Sequence, residues 1–282
     1  MSEKIGLVDV GGGYRGVYAA GVLDYCLDKR IKFDVGIGVS AGSANIVTYA
    51  ANQARRTLKF YCEYGLRKEY ASVGNFIRNH NFVNLDYVYG TLSNFDGEYP
   101  LDYIAVKNNP MEFIAVATNA VTGEAKYFTI DDMAQDNYDI MKASSAIPFV
   151  CRPYPIGDDL YYDGALSDTV PFKKAFEKGC DKVVLILTKP RDTIRTPKKD
   201  IFLANRIKNK YPKASQKLKE RAERYNNMIA LAKEYEAKGK LIIIAPEDTF
   251  GVDTLTREAE PMLQLYKKGY RDGVKIQDFV SK

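Results

Sequence analysis

Ser40 stands in the stretch GIGVSAGSAN, with Gly38 and Gly42 two positions away on either side. A serine so flanked, after a short apolar run, fits the G-x-S-x-G pattern of a sharp strand-to-helix turn. Such a turn strains the serine backbone and exposes its hydroxyl, and larger residues two positions away would collide. The helix that follows adds its positive end near the oxygen. The implied chemistry is nucleophilic attack, which requires a base to take the serine proton. The one histidine, His80, sits in the polar stretch FIRNHNFVN and reads as a surface-loop residue. A carboxylate is the other candidate. Asp163 in YYDGA ends a short apolar strand and precedes a glycine, which places an acid at a strand end. An Asp-Gly pair alone is often only a turn, as expected for Asp96-Gly97 and Asp272-Gly273.

A second glycine cluster, DVGGGYRG at 9–16, follows an apolar run and opens a helical pattern. Gly11, Gly13 and Gly16 match the G-x-G-x-x-G dinucleotide fingerprint. That fingerprint needs an acid at the far end of the second strand to hold a ribose. Asp34 lies at the near end of that strand, and Gly38-Val39-Ser40 occupy the far end. No G-K-[S/T] is present, so a P-loop is excluded. Consecutive glycines can also turn the backbone sharply and aim bare N–H groups into a cleft. At a helix start these form a cradle for an anion, whether a phosphate or the oxyanion of acyl transfer.

Both loops need elements to carry them. Residues 4–10 and 33–39 read as buried strands, and 14–30 and about 41–68 as helices. Strand, helix, strand, helix with short connections indicates a doubly wound α/β sheet. Both loops then fall at one edge of a parallel sheet, where ligands bind in such folds. Further strands are expected at 112–119, 125–130, 159–164, 182–188 and 241–246. Residues 70–104, rich in Tyr, Phe and Asn, read as a helix-and-loop excursion over one end of the sheet. Phe60, Tyr61, Tyr64, Tyr70, Phe76 and Phe82 could line an entrance there or simply fill a helical core.

From Lys189 to Arg224 there are thirteen Lys and Arg against four Asp and Glu. Leu218, Ala222, Tyr225, Ile229 and Ala232 then recur at helical spacing. This suggests a basic helical excursion before a last strand that rejoins the sheet. The chain of 282 residues carries a formal charge of +5. That is compatible with an anionic membrane surface and too weak to indicate nucleic acid. The four cysteines are scattered without a C-x-x-C pair, so neither zinc nor disulfides are expected. No apolar run is long enough to span a bilayer, and the first thirteen residues do not read as a secretory signal. A cytoplasmic protein is expected, with or without peripheral membrane contact.

In this order, GGGYRG (11–16), GVSAG (38–42), ASSAIP (143–148) and DGA (163–165) resemble the patatin-like phospholipases. The similarity covers roughly residues 4–190, and the C-terminal LIIIAPED and EPMLQLYKKGYRDG resemble the extension of the bacterial, cytosolic branch. The resemblance implies a three-layer α/β sandwich, with a mostly parallel central sheet and helices on both faces. It implies a catalytic core over 1–190. Residues 191–282 would then be the basic excursion plus a C-terminal strand and helix packed on that core. It also implies a Ser-Asp dyad, with Ser40 as nucleophile and Asp163 as general base. Gly11, Gly12 and Gly13 match the oxyanion loop, and Arg15 the basic residue after it. The implied substrate is a lipid or other acyl ester, and no cofactor or metal is implied. One departure is Ala165, where many members carry a second glycine. A non-catalytic lipid-binding protein of the same fold is the alternative, ahead of a dinucleotide-binding oxidoreductase.

Overall fold

The computed structural model describes residues 3–281. The chain opens with β1 (Ile5–Asp9), a tight turn of helix at Gly13–Gly16, and α1 (Val17–Asp28). Then follow β2 (Val35–Val39), α2 (Ala41–Ala50) and α3 (Arg56–Cys62). The helical stretch expected over 41–68 is thus broken. Asn52 and Arg55 both take left-handed backbone angles between α2 and α3, which no continuous helix accommodates.

The excursion over 70–104 holds α4 (Val73–Asn79) and a π-helical turn at Tyr87–Leu92, and α5 (Tyr103–Asn108) follows directly. Next come β3 (Glu112–Asn119), β4 (Ala125–Thr129), α6 (Asp139–Ser145), β5 (Tyr154–Ile156) and β6 (Asp159–Asp163). The last part comprises α7 (Phe172–Glu177), β7 (Lys182–Ile186), α8 (Lys198–Ile207), α9 (Pro212–Ala237) and β8 (Leu241–Ile244). It ends with α10 (Ala259–Asp272) and α11 (Val274–Val280). Neither β5 nor α6 is foreshadowed by a period in the sequence, because each is too short to show one.

The parallel core runs β3-β2-β1-β7-β8. Both faces of β1 are covered. Leu7 feeds the apolar layer shared with α1, α2 and α10, and Val8 the layer shared with α7 and α9. That is why the strands read as continuous apolar runs rather than alternating ones. The antiparallel β4, β5 and β6 complete the eight-stranded sheet.

The register around β3 decides where the two candidate catalytic residues lie. Along one edge, β4 pairs with β3 from Ile114 to Thr118. The other edge is shared. There β2 pairs up to Val39 opposite Val116, and β6 ends with Asp163 opposite Ala117. The two strands therefore meet end to end, and Asp163 arrives where the chain leaves β2 at Ser40.

The C-terminal helices are bound to the core by close packing. A Cβ on Gly21 of α1 would stand 2.1 Å from the Tyr266 carbonyl oxygen, and one on Gly269 of α10 2.0 Å from that of Tyr18. Two glycines thus let the helix backbones touch. Tyr18 donates to Asp272 and Tyr266 to Asp24, each at 2.8 Å, across the same crossing.

Candidate active site

Ser40 has φ 56° and ψ −130°, a backbone conformation strained for any residue with a side chain. Neighbouring contacts hold it there. A Cβ at position 38 would meet the Ser43 Cα at 2.3 Å, and one at position 42 the Asp9 carbonyl oxygen at 2.3 Å. Only glycine fits either position. The Ser43 N–H and hydroxyl donate to the Ser40 carbonyl at 3.0 and 2.6 Å. The Ser40 N–H donates to the Ser144 hydroxyl at 3.0 Å.

Ser144 belongs to the ASSAIP stretch, and two residues on, the Ala146 carbonyl accepts the Asp163 N–H at 2.9 Å. The end of α6 thus clamps the backbones of both Ser40 and Asp163. No periodicity singles out Ser144, and only the position of ASSAIP among the other motifs signals it.

Ser40 and Asp163 are 6% and 3% exposed. Burial pushes the Asp163 carboxyl above its ordinary value. The Ser40 hydroxyl, the Ala165 N–H and the guanidinium groups of Arg221 and Arg195 pull it partly back. The Ala165 N–H donates to Asp163 Oδ1 at 2.8 Å. The Ser40 hydroxyl and the Asp163 carboxylate adjoin in one cleft. His80 lies elsewhere, exposed at the end of α4 with its ring edge-on to Phe76.

The glycine loop passes beside Ser40. Gly11, Gly12 and Gly13 all have positive φ. Their amides are not equivalent. The Gly11 N–H donates to Asp9 Oδ1 at 2.9 Å, so Gly11 is bound within the loop rather than offered to a ligand. Among the described residues, the Gly12 and Gly13 N–H groups have no partner, and both glycines line the cleft at Ser40. Thr188, just past β7, donates its hydroxyl to the Gly11 carbonyl. Burial pushes the Asp9 carboxyl up to about 6, against the Asn45 amide and the Gly11 N–H. Asn45 Nδ2 donates to Asp9 at 2.7 Å and to the Gly16 carbonyl at 3.0 Å. Asp9 and Asn45 thus shape the loop, although neither stands out in the sequence.

Arg15 is 8% exposed and lies under the loop, with Nη1 donating to Asp253 and, at 3.1 Å, to Thr254. Thr254 also accepts the Tyr14 N–H through its carbonyl at 3.2 Å. The C-terminal loop therefore forms a roof over the glycine cradle.

Two cavities open at Ser40. One is mainly apolar and encloses about 1070 Å³ including its mouth, running past Ala44, Phe60, Tyr61, Tyr70, Val88 and Met141. Of the aromatics expected at an entrance, Tyr64, Phe76 and Phe82 stay outside this lining. Arg56, at its wall, is held by the Tyr99 carbonyl at 2.8 Å and the Ser93 hydroxyl at 2.9 Å. The second cavity is the more polar of the two and contains Asp163, the glycine loop and several cationic side chains. Asp34 is not among these groups. Its carboxylate accepts the Ile5 N–H at 2.7 Å, at the opposite end of the sheet. A ribose at the glycine loop would lie beyond its reach.

Residues 8–176 match the family model described as patatin-like phospholipase. The chain belongs to this family. The patatin-like part thus spans β1 through most of α7 and includes Ser40 and Asp163. Residues 211–278 match a second model, a domain of unknown function. The uncharacterized protein YjjU of Escherichia coli (strain K12) is 30% identical over 207 residues. That match covers 69% of this chain and 54% of YjjU, so the chain spans about half the length of this curated relative. The crystal structure of VipD from Legionella pneumophila superposes with a TM-score of 0.50 at 13% identity. It covers 99% of this chain and 67% of VipD, and it shows the patatin-like α/β fold. Among the described residues, no helix is long and apolar enough to cross a membrane. Likewise, no three His, Cys, Asp or Glu side chains gather as metal ligands would.

Proposed function

We propose that this patatin-like protein is a lipid acyl hydrolase working through a Ser40-Asp163 dyad and an acyl-enzyme. One observation carries the reading. A strained serine and a buried carboxylate share the floor of a cleft between an apolar cavity and two unpartnered backbone N–H groups.

Asp163 accepts the Ser40 proton as Oγ attacks the ester carbonyl carbon. The carbonyl oxygen takes up negative charge against the Gly12 and Gly13 N–H groups. One such donor is worth about 10²–10³ in rate. The carbon–oxygen bond to the alcohol then breaks, and the alcohol leaves with the proton from Asp163. Water attacks the acyl-Ser40 carbonyl and gives its proton to Asp163, and Ser40 recovers a proton as the fatty acid departs. An aspartate at its ordinary pKa of ~3.9 is a weak base. Burial improves it, because a carboxylate with a raised pKa takes a proton more readily.

The apolar cavity suits an acyl chain, since apolar burial favours binding by ~25 cal/mol per Å². Replacing Ser40 by Ala or Asp163 by Asn should each bring hydrolysis of p-nitrophenyl butyrate to background with the thermal melt retained. Near-normal turnover in Asp163→Asn would remove the dyad from the account.

A further inference from the structure

The two cavities share Gly13, Ser40, Ile147, Val150, Thr254 and Leu255, so one ester can extend into both from Ser40. Their chemistry differs in kind. The polar side is lined by Arg15, Lys189, Arg195, Lys199 and Arg221, against the carboxylates of Asp163, Asp200 and Asp253. Five cations thus face three carboxylates. Part of this charge is internally matched. Asp200 is buried between Arg195 and Arg221, and Asp253 takes Arg15.

What is unmatched faces the cavity. Among the described residues, neither Lys189 nor Lys199 has a carboxylate partner within ion-pair distance. Lys189 is half-buried, and burial together with Arg15 and Arg195 disfavours its charged form. A half-buried ammonium without a carboxylate partner is a costly arrangement that a bound anion would relieve. The basic stretch after Lys189 is therefore not solely a solvated helix face. Lys189, Arg195, Lys199 and Arg221 of the stretch 189–224 line the cleft that holds Ser40, with Lys199 exposed at its edge.

We propose that this cavity receives the head of the ester, and that Lys189 and Lys199 select heads with uncompensated negative charge, such as the phosphodiester of an acylated glycerol. Zwitterionic esters with the same acyl chains are disfavoured. Both lysines lie beyond residues 8–176, so the selectivity comes from the chain outside the patatin-like match. The inference rests on Ser40 being the nucleophile.

The test uses the full chain and monomeric esters, which removes adsorption to a lipid surface as a variable. kcat/KM is measured for dihexanoyl phosphatidylglycerol, dihexanoyl phosphatidylcholine and neutral p-nitrophenyl butyrate. A charge-assisted contact of ordinary strength predicts a preference for the anionic over the zwitterionic ester of roughly tenfold or more. The double variant Lys189→Ala/Lys199→Ala should bring that ratio close to one. Lys208→Ala removes an exposed charge from the same basic stretch outside the cavity, and should leave the ratio at its wild-type value. Equal rates on both phospholipids in the wild type, or a ratio unmoved in the double variant, would overturn the subsite alone. A wild type that hydrolyses none of the three esters would overturn the Ser40 reading, and the subsite with it.

Discussion

Asp163 is held between opposing influences, and the balance sets a measurable pH dependence. Burial raises its pKa, while Ser40, the Ala165 N–H, Arg221 and Arg195 lower it. The base must be ionised, so activity falls as pH drops through that pKa. The acid limb of kcat/KM should therefore centre above the ~3.9 of a free aspartate. Removing a nearby cation raises the pKa further. Arg221→Gln should shift the limb to higher pH, with Arg195 still holding Asp200. A limb that stays in place or moves lower would show that Asp163 is not the titrating base. At this scale much of the site was legible. Ser40 and Asp163 stand out because their glycine neighbours make a sharp turn expected at each. Asp9, Asn45 and Ser144 were not legible, since they act through hydrogen bonds to backbone groups and, for Asp9 and Asn45, to one another, which no spacing in the sequence signals. Gly11 was legible as part of the loop, but its N–H is bonded to Asp9, which only the folded chain reveals.

The elements explain how residues more than a hundred positions apart come together. β2 and β6 share one edge of β3 and end opposite consecutive residues, Val116 and Ala117. Apolar runs disclose that such strands exist, but not their order or register. Pairing is decided by long-range packing that local sequence does not encode. The same holds for the α1–α10 crossing. Gly21 fits a helical pattern and Gly269 lies in KKGYRDG, and neither signals that its helix backbone touches another. Gly269→Val should place a branched side chain against the Tyr18 carbonyl. Overpacking of this kind costs about 1–3 kcal/mol and sometimes more. A urea midpoint clearly below the wild type's is expected, and an unchanged midpoint would mean that the helices can separate freely.

For the molecule as a whole, the C-terminal part completes the site rather than merely following it. Asp253 and Thr254 hold Arg15 under the glycine loop, and α9 and β8 cover the face and edge of β7. On the surface, the exposed rings of Phe76, Phe149 and Phe202 pack one against the next, with centroids 6.3 and 6.4 Å apart. The Arg206 guanidinium lies over Phe149 and Phe202 at 5.7 and 5.0 Å. An aromatic patch with a cation upon it suits the interface of an anionic membrane, where each well-placed Lys or Arg adds ~1 kcal/mol. We infer peripheral contact there, since these three rings come from α4, the loop after α6 and α8, and meet only in the folded chain. The protein should sediment with liposomes containing phosphatidylglycerol and much less with phosphatidylcholine alone, and Phe149→Ser/Phe202→Ser should weaken that binding severalfold. Equal sedimentation of the double variant would dissociate the patch from the membrane.

The dyad itself is tested most directly by covalent capture. A fluorophosphonate reacts with a serine only when a base has activated it. Peptide mass spectrometry of the treated protein should locate the adduct on Ser40, and Asp163→Asn should lose it while remaining folded. An adduct on another serine, or equal labelling of Ser40 without the Asp163 carboxylate, would contradict the account.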